Sequence, residues 1–345
     1  MSSHKVLMSP KFTNPYQQLL KENLESVGAE VTLCNLDWFF LFDPSVRSAN
    51  VIHLHWLHVF YRKRKARVPL FAALFFIFQM FILKYVCKKR IVWTCHNLKD
   101  HENKYPLADH FCSYRMAHLA DSIIVHSDIA AKRVSECYGV DSSCLKVIPH
   151  GNYIDYYERC ANARDSGAYK SQSDLVFLFF GALRRYKGVE DVVSASARIG
   201  GANHDLWIYG KPLAADVDAN IMALKSGQQH IVYRSGFFDE KNIRELFSCV
   251  DVVVLPMENI LTSGSMVLAM SMGKACIAPK GSYAEGVLDS NGAFFYEDRC
   301  EIDGVLQEVI ASKERLAEMG NYNYQRARGF DWLDIAARTC VVYSN

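Results

Sequence analysis

Two polar turns in this chain have the composition of anion seats. The first, Phe180-Gly181-Ala182-Leu183-Arg184-Arg185-Tyr186-Lys187-Gly188, follows an apolar run and puts three cations in one strand-to-helix turn. Gly181 permits close approach of the backbone to a ligand, and Arg184, Arg185 and Lys187 have the reach to touch phosphate oxygens. The second, Thr262-Ser263-Gly264-Ser265, separates the apolar run Val252 to Pro256 from the helical pattern Met266 to Gly273. Free N–H groups of a first helical turn and three hydroxyls would meet there. Either turn alone is also what an ordinary capped helix needs. Two of them in one α/β unit suit a diphosphate, with Glu258 the carboxylate nearest to the second.

A third group of residues has the chemistry of proton transfer and hydroxyl recognition. His96 and Asn97 follow the apolar run Ile91 to Thr94, and Asp100, His101 and Glu102 come one loop later. Imidazole and amide groups can each donate and accept hydrogen bonds, and a histidine beside a carboxylate is a candidate base. Transfer of a group from a diphosphate to a hydroxyl needs a proton acceptor and a neutralised leaving group. The order of residues does not choose the base among His96, Asp100, His101 and Glu102. His53, His55 and His58 do not read as a metal site, because no carboxylate or third ligand stands at a fixed spacing.

These residues must be carried by regular elements. Short β-branched runs alternate with longer helical patterns, which predicts parallel sheets built from βα units. The expected strands are residues 6–8, 30–33, 51–54, 91–94, 122–125 and 146–148, then 175–180, 205–208, 231–233, 252–255, 275–278 and 293–295. Helices are expected over Tyr16 to Val27 and, from a capping Asp128, to Cys137. The polar stretch 156–173 reads as a linker. The expected class is α/β, with two Rossmann-like doubly wound domains facing a central cleft. Residues 1–155 would form the first domain and 174–325 the second, while residues 326–345 form a helix crossing back to the first.

Leu268-Ala269-Met270-Ser271-Met272-Gly273-Lys274-Ala275, together with the Gly181 to Gly188 turn, resembles the nucleotide-sugar site of glycosyltransferases of the GT-B fold. Leu268 and Ala275 stand where that pattern usually has Glu and Pro. The Leu-Thr-Ser-Gly-Ser form is similar to bacterial exopolysaccharide and glycolipid transferases that include β-mannosyltransferases. Asn14-Pro15-Tyr16, His55-Trp56, Trp93 to Glu102, Pro149-His150-Gly151 and the closing Trp332 to Tyr343 extend the resemblance to most of the chain. It implies a nucleotide sugar, GDP- or UDP-linked, held by the second domain. It further implies a lipid-linked saccharide at the first domain near Asn14, Tyr16, His55, Asn97 and His150. The family's usual second glutamate is missing, which favours inversion at the sugar carbon. A retaining enzyme, or a non-catalytic scaffold or activator of a membrane transferase, is the other reading. The resemblance implies neither metal nor cofactor.

Composition agrees with a globular protein of two domains: 345 residues, half of them apolar. The formal charge of +2 conceals a concentration of positive charge, because Tyr61 to Arg90 holds nine basic residues and no acidic one. Within it, Arg62-Lys63-Arg64-Lys65-Ala66-Arg67 precedes Val68 to Leu83, where 14 of 16 residues are apolar. At 1.5 Å per residue that helix is roughly 24 Å long, short of a membrane span. Arg62, Lys63, Arg64, Lys65 and Arg67, with Phe75 and Phe76, are therefore expected to hold the protein on an anionic membrane surface. Aromatic and glycine-rich RNA-binding patterns are missing, so nucleic acid is not an expected partner. Eleven unpatterned cysteines and a start without a signal-peptide pattern point to the cytoplasm, at the inner face of the plasma membrane.

Overall fold

The computed structural model describes residues 4–62, 69–99, 104–160, 169, 171, 173–258 and 260–344. They divide into two compact units, Met1–Gly151 with Phe330–Asn345, and Asn152–Gly329.

The first unit is a parallel six-stranded sheet of β1 (Lys5–Ser9), β2 (Glu30–Leu33), β3 (Val51–Leu54), β4 (Arg90–Thr94), β5 (Ser122–Val125) and β6 (Leu145–Val147), in the order β2-β1-β3-β4-β5-β6. The connecting helices are α1 (Pro15–Ser26), α2 (Pro44–Ser48), α3 (His58–Tyr61), α4 (Pro69–Tyr85), α5 (Pro106–Leu119) and α6 (Asp128–Tyr138). β1, β3, β4 and β5 are covered on both faces, which explains why their sequences are continuously apolar instead of alternating. α6 is capped by Ser127, whose hydroxyl accepts from Ala130 N, so the cap lies one residue before the expected Asp128. The left-handed Gly139 ends the helix.

The second unit opens with α7 (Ile154–Cys160), which runs into the stretch 156–173 expected to be linker; most of the rest of that stretch lies outside the described residues. Then follow β7 (Val176–Phe180), α8 (Val189–Ile199), β8 (Asp205–Gly210), α9 (Ala215–Leu224), β9 (Ile231–Ser235), α10 (Ile243–Ser248), β10 (Val252–Val254), α11 (Gly264–Ser271), β11 (Ala275–Pro279), β12 (Ala293–Tyr296), α12 (Ile302–Ala311) and α13 (Leu316–Arg328). Its sheet is again parallel, in the order β12-β11-β10-β7-β8-β9. β7 and β10 are central neighbours, so the turns that follow them are brought side by side. α14 (Trp332–Ser344) belongs to the first unit, packed on α1, and Trp332 lies flat against Gly151 where any side chain would collide with it.

Candidate active site

In the second unit the two expected anion seats lie against each other. The chain leaves β7 at Gly181 with φ of 129°, a conformation that disfavours any residue with a Cβ. A methyl group there would stand 3.0 Å from the Ser265 hydroxyl and 3.5 Å from the Lys187 ammonium. Glycine thus leaves a space bounded by a hydroxyl, a cation and the N-terminus of α11, where free N–H groups favour an anion. Ser263 is the N-cap of α11, accepting from Met266 N at 3.2 Å, and the buried Thr262 hydroxyl lies beside the Tyr283 hydroxyl. The Lys187 pKa is pushed down to about 8, first by loss of water and second by the Arg184 charge. A cation held at that cost beside the Ser265 hydroxyl and a helix N-terminus is arranged for a phosphate.

Two predicted contacts differ. Arg185 points away from this space and pairs at the surface with Asp216 of α9. Glu258 is bound to Arg299 at 2.7 Å, and Arg299 also reaches Asp191 at 2.9 Å. A fixed Glu258 and the buried Leu268 leave no carboxylate in the position the family resemblance would give to ribose recognition. Sequence reasoning missed a neighbouring cavity at the ends of β8 and β9, lined by Tyr169, Tyr209, Arg234, Gly236, Phe237 and Phe238. The Phe237 ring is 88% exposed, with Lys211 Nζ 4.4 Å from its centre. Gly210 connects the two spaces, because a Cβ there would strike Gly181 O.

In the first unit, four adjacent strands each deliver one histidine just past their carboxyl ends: His55 after β3, His96 after β4, His126 after β5 and His150 after β6. All four are buried around the ring of Tyr16, which lies 5.1 Å from His96, 5.7 Å from His126 and 4.8 Å from His150, centre to centre. Trp56 stacks on His96 at 4.5 Å and 11°. His55 Nδ1 and His96 Nε2 are 3.1 Å apart, sharing one proton. His126 Nδ1 and His150 Nδ1 donate to the carbonyls of Ile148 and Gly151. His53, one turn of the pleat below His55, is held between the Tyr343 hydroxyl and Thr94 at 2.7 Å each.

Burial keeps this cluster neutral. The pKa is lowered to about 3 for His53 and His150 and to about 4 for His126, and well below the usual range for His55 and His96. Desolvation is the first cause for each, followed for all but His126 by repulsion among the imidazoles. A neutral imidazole offers one donor and one acceptor but is a weak base. Beside the cluster a small cavity is lined by Trp56, His96, Asn97, Lys99, Asp109 and Ser113, among others. His126 and Asp109 were not anticipated; Asn14 is instead the N-cap of α1, accepting from Gln17 N at 2.8 Å. Asp100, His101 and Glu102 lie outside the described residues, as do Lys63, Arg64, Lys65 and Arg67.

The apolar segment proves to have two faces. Phe76 is buried and stacks on Phe60 at 4.5 Å and 7°, and Phe75 is wedged against Trp38 and Phe39. Neither faces solvent as a membrane anchor would, because this side of α4 packs on α5, α3 and the segment before α2. The outward stripe is Phe71, Leu74, Phe78, Phe81 and Tyr85, all exposed. Exposed Phe39 and Phe42 join it from the loop before α2. No helix among the described residues is long and apolar enough to cross a membrane.

A Gly181→Ala protein tests the seat. Its methyl group would strain a left-handed residue and crowd Ser265 and Lys187, so affinity for a nucleoside diphosphate should fall by about tenfold or more. Calorimetric titration checks this, and an unchanged affinity would remove Gly181 from the pocket.

Residues 174–311 match the glycosyl transferases group 1 family. The chain is 23% identical over 308 residues to a GDP-mannose:glycolipid 4-beta-D-mannosyltransferase of Xanthomonas campestris pv. campestris, covering 87% of this chain and 81% of that one. Among solved structures, HepE of Anabaena in complex with UDP and glucose superposes with a TM-score of 0.72 at 15% identity, covering 98% of each chain. Sucrose-phosphate synthase of Thermosynechococcus elongatus gives 0.74, also at 15% identity and 98% of each chain.

Proposed function

Because the chain carries a glycosyl transferases group 1 domain and is a glycosyltransferase of the GT-B fold, we propose that it moves a mannosyl group from GDP-mannose to a glycolipid, with inversion. The observation that carries this reading is the pocket of Lys187, Ser265, Gly181 and the α11 N-terminus, where the diphosphate of a sugar nucleotide would sit. The adjoining cavity, with its exposed Phe237 ring, has the flat apolar surface a nucleobase stacks on. Donor and acceptor chemistry are taken from the mannosyltransferase relative.

Lys187, Arg184 and the α11 amides would take up the charge of the departing diphosphate, so transfer proceeds without a metal ion. The acceptor would meet Tyr16, Asn97 and the neutral histidines, which can hydrogen-bond sugar hydroxyls without presenting charge. The exposed stripe of α4 would rest on the inner face of the plasma membrane, next to the basic run 62–67.

The test supplies purified protein with membrane lipid extract and either GDP-mannose or UDP-glucose, in the presence of a chelator. Consumption of GDP-mannose with a product anomeric proton of β configuration is the expected result. Failure to consume any sugar nucleotide would sink the transferase reading, and consumption of UDP-glucose alone would change the donor. An α product would overturn inversion, and loss of activity with chelator would overturn the metal-free mechanism.

A further inference from the structure

We propose that Asp109 is the proton acceptor of the transfer, its carboxylate taking the proton of the attacking hydroxyl inside the small cavity beside His96. The proposal rests on the reading of the chain as an inverting transferase. Asp109 sits in the first turn of α5, is 8% exposed, and lines the same cavity as His96, Asn97 and Lys99. That cavity opens where β3 and β4 end, the edge of a parallel sheet at which ligands bind.

Two observations separate Asp109 from its neighbours. The Tyr61 hydroxyl, itself fully buried on α3, donates to Asp109 Oδ1 at 2.5 Å and holds the carboxylate in one orientation. His96, the other candidate in the cavity, has Nε2 committed to His55 and is stacked under Trp56, and burial makes its imidazole a poor proton acceptor. A carboxylate oriented by the Tyr61 hydroxyl on the wall of this cavity is the better base, and the neutral histidines are left to orient the sugar.

In the step this assigns, the O–H bond of the acceptor hydroxyl breaks and its proton passes to the Asp109 carboxylate. The hydroxyl oxygen bonds to C1 of the donor sugar as the C1–O bond to phosphate breaks. The electron pair leaves with the nucleoside diphosphate. No other reactant is needed.

The full chain is assayed as wild type, Asp109→Asn and Tyr61→Phe, with GDP-mannose and membrane lipid extract. Asp109→Asn should lose about 100- to 10,000-fold in kcat/KM while GDP affinity stays within about twofold. Tyr61→Phe keeps the carboxylate but removes the hydroxyl that orients it, so kcat should fall while KM for GDP-mannose stays within about twofold. Asp109→Asn within tenfold of wild type while still binding GDP would overturn the assignment. If Asp109→Asn does not fold, an unchanged kcat in Tyr61→Phe overturns it. Wild-type protein that consumes no sugar nucleotide would instead defeat the transferase reading, and this proposal with it.

Discussion

A Lys187→Ala protein is expected to bind nucleoside diphosphate roughly 10- to 100-fold more weakly than the parent, and to lose turnover at least in proportion. A hydrogen bond to a charged group contributes about 1.5–3 kcal/mol, and each 1.4 kcal/mol is tenfold in affinity. The upper end applies here, because Lys187 is drawn out of water beside Gly181 and Ser265 and has no carboxylate partner among the described residues. By contrast Arg185 is already paired with Asp216 at the surface, so Arg185→Ala should change affinity less than about threefold. Equal losses in the two variants would mean that the diphosphate is held elsewhere.

The same lysine carries a pH signature with two opposite signs. Its folded-state pKa, near 8, lies below the ordinary 10.5. Between those values the unfolded chain holds a proton that the folded chain has released, so this group makes the free protein more stable as pH rises through the window. Binding runs the other way. A diphosphate favours the ammonium form, so above about pH 8 binding must take up a proton and affinity falls with pH. Thermal shifts with and without GDP from pH 7 to 10 should show both trends in the wild type, and both should flatten in Lys187→Ala. A ligand-induced shift independent of pH would remove Lys187 from the contact.

The outline of both sheets was legible because a parallel strand buried on two faces, as most of these are, is a short apolar run, and the twelve expected strands are all present. The edge strand β6 begins one residue before its expected start, where Leu145, Lys146 and Val147 are all partly exposed and the apolar signal is weak. The seat was legible because its parts sit in two short turns. The histidine cluster was only half legible. His55, His96, His126 and His150 lie 24 to 41 residues apart in the chain, and only the strand order makes them neighbours. A histidine one to three positions past each strand was the available signal. Asp109 had none, since a lone carboxylate in a first helical turn is what the helix dipole favours anyway. Phe76 misled for a related reason. A helix apolar all round does not say which stripe its neighbouring helices will cover.

That ambiguity is now a second large effect. Replacing Phe71, Phe78 and Phe81 together by serine should reduce binding to anionic vesicles about 100-fold. These rings are 62%, 58% and 50% exposed, so each has roughly half its surface left to bury, or about 1 kcal/mol per ring, and 3 kcal/mol is roughly 100-fold. All three side chains point away from the unit's core, so the melting temperature should not fall; serine at Phe76 and Phe60, which stack on each other inside, should lower it instead. Charge makes a separable contribution. The run Arg62 to Arg67 holds five cations, each contributing about 1 kcal/mol near anionic lipid at low salt. The triple variant should therefore keep a weak adsorption that salt abolishes, whereas a variant neutral at those five positions should keep a salt-insensitive preference for lipid but lose its choice of anionic over zwitterionic vesicles. Flotation at 0.05 and 0.5 M salt distinguishes the two. If the triple variant floats like the parent at high salt, the outward stripe of α4 is not what touches the bilayer, and the glycolipid would have to reach the site from another side.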